Sequence, residues 1–237
     1  MSSPTRFPNG SGTVRSSDPL GMYGLQDPTK YHTFFTDFDK YAASDWVITV
    51  VEAGAGSASE ALADADNGVL VITNDSADDD SVFMQWAGGA GNVIENYKFV
   101  SGEPLWFKTR FKISDATQSD MIMGLVFKTT TPLANTDGVY FTSADGSAAV
   151  SLVVNKNSTA TTTSVTTMAD DTYVELAFYY NGSDSITAYA DGVAVASSAI
   201  TNLPDDEELS LTFGLQNGAA ASKVMTIDYV FVTKQRT

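Results

Sequence analysis

The chain has 237 residues, 43% of them hydrophobic, no cysteine, and a formal net charge of -16. That size suits a single large all-β sandwich, and the apolar share excludes a globally disordered chain. The lack of thiols excludes a disulfide framework and a thiolate metal site. The negative field repels phosphate backbones, so nucleic acid is not an expected partner.

The first residues lack the apolar segment of a signal peptide, and no apolar run is long enough for a membrane-spanning helix. Synthesis in a cytoplasm and no membrane partner are therefore expected. Residues 1–30 hold Pro4, Pro8, Pro19 and Pro28 with Gly10, Gly12, Gly21 and Gly24, which break any helical or strand period. Yet Phe7, Leu20, Met22, Tyr23 and Leu25 are apolar. Two readings stand: a flexible terminus, or an extended arm laid along another chain or along its own body. Arg6, Arg15 and Lys30 outnumber Asp18 and Asp27 here, so this segment is slightly basic and the rest more acidic still.

Residues 31–38 bring Phe34, Phe35 and Phe38 together. Residues 45–51 read as a strand. Residues 54–65, rich in Gly, Ala and Ser, read as a loop, with 58–65 the best short-helix candidate. Residues 69–73 suit a strand buried on both faces. Asp75, Asp78, Asp79 and Asp80 lie in an acidic turn, after which 81–86 is expected to pair back on 69–73. Residues 105–113 alternate without a break: Phe107, Thr109, Phe111 and Ile113 fall on one side, and Trp106, Lys108, Arg110 and Lys112 on the other. That is a strand with one dry face.

Residues 121–127 are apolar on both faces, as in a central strand. Asp145-Gly146, Asn181-Gly182 and Asp191-Gly192 are hairpin signals between extended runs. The Ser/Thr tract 158–167 suits an exposed strand or a loop. Residues 209–215 and 224–232 close a series of roughly fourteen strands by this reading. Turn signals recur about every ten residues, which points to an antiparallel sandwich of two sheets. The expected organisation is an N-terminal arm, 1–30, and an all-β sandwich, 31–237.

Residues for chemistry are sparse. Glycoside hydrolysis needs two carboxylates flanking the sugar bond. The pattern Glu, one residue, Asp, then Glu shortly after occurs in no expected strand. Glu175 is an isolated strand carboxylate, and Glu207 and Glu208 follow Pro204 in a turn. His32 is the sole histidine, so a Ser-His-Asp relay would have to run through it, without a nucleophile elbow; capping or packing is the simpler role. One imidazole and no thiolate cannot fill a typical zinc site. The acidic turn 74–80 could gather oxygens for calcium but lacks the alternating ligand spacing with a central glycine, so a solvated, capped turn is the simpler reading. No cofactor and no metal are expected. Trp106, Lys108, Arg110 and Lys112 form a basic aromatic stripe. It can stack a sugar or dock an acidic partner, or it is an exposed face whose lysines discourage sheet aggregation.

The runs 107–113, 124–127, 174–180, 186–192 and 225–232 resemble the concanavalin A-like lectin/glucanase jelly roll. The resemblance spans a little over half of the chain and implies architecture more than activity, since lectins, hydrolases and structural proteins share that fold. The front half, at 5–10, 18–21 and 27–39, is similar to proteins of marine tailed bacteriophages encoded near the capsid genes. That likeness implies a non-enzymatic virion structural protein, a decoration or cement protein on the outer capsid surface, assembled in the host cytoplasm. Its implied partner is the major capsid protein, gripped through Arg6, Phe7, Arg15, Leu20, Met22, Tyr23 and Leu25. A trimer is a family expectation. The alternative is a carbohydrate-binding module displayed on the virion, with a surface glycan as ligand.

Overall fold

The computed structural model describes residues 29–53, 56–65 and 67–236; the arm residues from Arg6 to Leu25 lie outside them. The described residues form fifteen strands: β1 (Tyr31–Thr36), β2 (Trp46–Val51), β3 (Ser59–Ala63), β4 (Val69–Thr73), β5 (Ser81–Trp86), β6 (Leu105–Ile113), β7 (Ser119–Val126), β8 (Gly138–Ser143), β9 (Ala149–Lys156), β10 (Thr159–Thr167), β11 (Val174–Tyr180), β12 (Ser185–Ala190), β13 (Val193–Ala199), β14 (Ser210–Asn217) and β15 (Val224–Gln235). They form two antiparallel sheets. One has eight strands, ordered β13-β12-β11-β6-β15-β4-β3 with β1 also on β15; the other runs β10-β9-β8-β7-β14-β5-β2.

Strand β6 shows how the sequence builds this fold. Its burial alternates perfectly, with Leu105, Phe107, Thr109, Phe111 and Ile113 inside. Period-two alternation places those side chains on the inner face. There Phe107 stacks on Phe178 at 5.1 Å, and Phe141 of the opposite sheet lies 5.9 Å from Phe178. The polar Thr109 is tolerated inside because its hydroxyl donates to the Tyr229 carbonyl at 2.9 Å, beside an irregularity in the β15–β6 register. Asp191 and Gly192 both take positive φ, which the two-residue β12–β13 turn demands.

Several expectations change. The helix candidate 58–65 contains β3, an edge strand on β4. Its Ala, Leu and Glu favour helix locally, but pairing with the open edge of β4 overrides that preference. The run 81–86 does not pair back on β4: β5 belongs to the other sheet, between β14 and β2. The acidic turn is therefore a crossover between sheets. Asp80 is buried at 1% exposure, and its carboxylate accepts the backbone N–H of Ala53 at 2.7 Å and of Ala77 at 2.9 Å. Asn74 bonds Asn217 at 3.1 Å, and Asn217 donates to the carbonyls of Asp75 and Ala77. The Ser/Thr tract resolves as a strand, β10, on β9.

The seven-stranded sheet is apolar on its outer face as well. Phe83, Ile122, Val126, Tyr140 and Val153 form a second buried cluster, with Leu133 packed against it. Leu133 comes from the connection between β7 and β8, pinned at its base by the Phe127 N–H to the Asp137 carbonyl at 2.9 Å. Gln85 fastens the same strap, donating to the Phe127 carbonyl and accepting the Thr129 N–H. Gly124 leaves the room this requires, since a Cβ there would lie 2.5 Å from the Tyr140 Cα.

Candidate binding face

The outer face of the eight-stranded sheet is the candidate site. Trp106, Lys108, Arg110 and Lys112 all project there, partly buried, as the alternation of β6 requires. The structure adds partners that the stripe alone did not disclose. On β11, Val174, Leu176, Phe178 and Tyr180 face inward, so Glu175 and Tyr179 face outward. Glu175 lies opposite Arg110 and diagonal to Lys108, which is two register positions along, opposite Ala177.

Glu175 meets Lys108 at 2.9 Å and accepts the Tyr229 hydroxyl at 2.5 Å. Burial alone would raise the Glu175 carboxyl, but the bonds from Tyr229 and Lys108 and the nearby Arg110 outweigh it and hold it below the usual carboxylate range. Burial and then Glu175 push the Tyr229 phenol up. Arg110 pairs with Asp228 at 2.5 Å and lies over the Tyr173 ring at 4.1 Å. Lys112 faces the same ring at 5.4 Å. The basic stripe is therefore the spine of a charge ladder, and two of its cations are matched by carboxylates on the neighbouring strands.

Beyond the ladder the face turns aromatic. Trp106 lies 5.4 Å from Tyr179 and 5.1 Å from Tyr189, both tilted against it. Across β15, Phe231 meets Phe35, which is 59% exposed. A hollow of ≈ 250 Å³ opens between Tyr31, Pro104, Trp106, Tyr179, Thr233 and Gln235. Tyr179 and Tyr189 were legible in principle, because extending the alternation along β11 and β12 places both outward. Tyr31 was not, because nothing local tells that β1 joins the far side of β15.

The remaining candidates fall elsewhere. His32 packs at 5.1 Å from Tyr97 and touches Asn96 and Arg236, a packing role with polar partners. Among the described residues no three His, Asp or Glu side chains gather as a metal site, and Asp80 of the acidic turn is committed to backbone N–H groups.

Two antiparallel sheets with this order and a filled interior define a concanavalin A-like jelly roll. The model of the SO2946-like, C-terminal domain family matches residues 95–228. The chain belongs to that family. The protein of unknown function SO2946 from Shewanella oneidensis MR-1 superposes with a TM-score of 0.60 at 16% identity, over 94% of this chain and 95% of that one. A non-specific endo-β-1,3(4)-glucanase of family GH16, SCLam, gives 0.60 at 12% identity over 90% and 94%. The potassium-bound carbohydrate recognition domain of Emp46p gives 0.56 at 10% over 83% and 93%. At identities this low the superpositions show the shared fold alone. No curated protein matches the chain.

Proposed function

We propose that the protein is a non-enzymatic virion structural protein, a jelly-roll body that decorates a capsid shell by binding its major capsid protein, with residues 1–30 as the attaching arm. The observation that carries the non-enzymatic half is what occupies the two outer faces. On the seven-stranded sheet the strap 127–137 covers part of the outer face with a second core, Leu133 on Phe83, Ile122, Val126, Tyr140 and Val153. On the eight-stranded sheet Glu175 and Asp228 are each bonded to a cation from β6. A hydrolase needs two carboxyls free to act across a sugar bond. The virion half is supported by the likeness of 5–10, 18–21 and 27–39 to marine tailed-phage proteins, and by the contrast between a slightly basic arm and an acidic body.

Quantitative mass spectrometry of purified virions tests it. Copy number near that of the major shell protein is the expected result. Absence from virions, or release of reducing sugar from β-glucans by the purified protein, overturns it.

The aromatic cluster favours a second reading, a carbohydrate-binding module carried on the virion. Trp106 with Tyr179 offers ring faces on which a sugar stacks, and the Emp46p domain shows the fold in a carbohydrate recognition domain. A few copies per virion would favour this reading.

A further inference from the structure

Strand register lays a row of neutral side chains across the displayed face. Thr233 of β15 stands opposite Trp106 of β6, Trp106 opposite Tyr179 of β11, and Tyr179 opposite Thr187 of β12. All four point outward, because their strand neighbours Val232, Phe107, Phe178 and Ile186 belong to the main core and successive side chains alternate between faces. Adjacent strands lie about 4.8 Å apart, so the row runs roughly 14 Å across three spacings.

The hollow around Trp106 opens at the β15 end of this row. It joins three aromatic rings, those of Tyr31, Trp106 and Tyr179, to Pro104, the Gln235 amide and Thr233. Among the described residues no Asp, Glu, Lys, Arg or His lines it. Charge begins two residues further along β6, at Lys108, and Glu175 meets that cation at 2.9 Å. An acidic ligand on the row would therefore find no cation in the hollow, in a protein whose net charge is -16. A neutral sugar chain matches what is there. Its ring faces are apolar and stack on indole and phenol rings, while its hydroxyl rim exchanges hydrogen bonds with amide and hydroxyl groups.

The spacing also selects the linkage. A β-1,4-linked hexose chain is an extended ribbon whose residue repeat is close to the distance between strands, so each ring can meet a new strand. An α-1,4-linked chain coils and leaves the plane of the sheet.

We propose that this row binds a neutral β-1,4-linked glycan laid across the strands, with one ring in the hollow against Trp106 and the next rings over Tyr179 and Thr187. The inference rests on the carbohydrate-binding reading, to which it adds the glycan class and the direction of the chain. It is independent of capsid attachment.

Calorimetric titration of the full chain with cellobiose, cellotetraose, maltotetraose and tetragalacturonic acid tests it. The expected result is saturable binding of cellotetraose, about ten-fold tighter than cellobiose because further rings reach further strands, and no binding of the other two. Trp106→Ala should abolish binding of both cello-oligosaccharides. Thr187→Ala should weaken cellotetraose and leave cellobiose unchanged, since only the longer chain reaches β12. Gln235→Ala, at the exposed end of β15, should weaken both and reads the same hollow where Trp106→Ala fails to fold. Equal binding of maltotetraose or tetragalacturonic acid, or a Thr187→Ala variant that binds cellotetraose like the parent, overturns this inference and leaves the carbohydrate-binding reading standing. Binding of none of the four overturns it too, and a glycan array then decides the wider reading separately.

Discussion

At the scale of single residues, the two faces of β6 should respond in opposite ways. Phe111 is fully buried, and an unpaired carboxylate there costs several kcal/mol, comparable to the whole stability of a domain. Phe111→Asp is expected to yield no soluble folded protein. Lys108→Ala removes a half-exposed ion pair and leaves Glu175 bonded to Tyr229, so the loss should be at most about 1 kcal/mol. Thermal melts of both variants decide this, and a Phe111→Asp melt like the parent's would invert the assignment of faces. Glu175 gives a pH prediction. Its folded value lies below the ordinary 4.5, so it stabilises the fold above about that pH, and the contribution is lost as pH falls through the folded value. Glu175→Gln should melt lower than the parent at pH 7, and the gap should close as both are taken below pH 4. A gap constant down to pH 3 would show that the carboxylate charge is not what matters. The alternation that assigned these faces was visible in the sequence because it is local. Their partners were not: Glu175, Asp228 and Tyr229 lie 54 to 120 positions away from the β6 residues or from each other in their contacts.

At the scale of elements, the strap 127–137 converts an outer sheet face into core. Ile122 is fully buried although it points away from the main core. Ile122→Ala should cost about 2–5 kcal/mol, as for a core truncation, measured by denaturant unfolding. A cost under about 1 kcal/mol would mean that the strap opens readily and leaves the face free. The double-sided hydrophobicity of 121–127 marked β7 as central, and the structure shows that its second side is buried by a loop as well as by neighbouring strands. Two elements were misread for one physical reason. The segment holding β3 has helix-favouring residues, and β5 follows β4 after a short acidic turn, as a hairpin partner would. In both, pairing with strands distant in sequence decides the outcome: β3 fills an edge of β4, and Asn74, Asp80 and Asn217 brace a crossing between sheets. Hairpins whose turns carry their own chemistry, at Asp145-Gly146, Asn181-Gly182 and Asp191-Gly192, were legible throughout.

At the scale of the whole molecule, the jelly roll supplies two outer sheet faces, one partly covered by the strap and one displayed; the capsid role and the attaching arm, residues 1–30, are the proposal to be tested. At the start of the described residues β1 pairs along β15, and the Arg236 N–H reaches the Lys30 carbonyl at 2.7 Å. A protein lacking residues 1–28 should therefore melt cooperatively near the parent temperature. The measurement that tests the account most directly is co-sedimentation with capsids that lack their native copy, run with the full chain and with this truncation. The account predicts that the full chain pellets with the capsids while the truncated protein stays folded in the supernatant. A full chain that remains in the supernatant would contradict the capsid role outright, and a truncated protein that pellets as well as the parent would move the contact from the arm to the body.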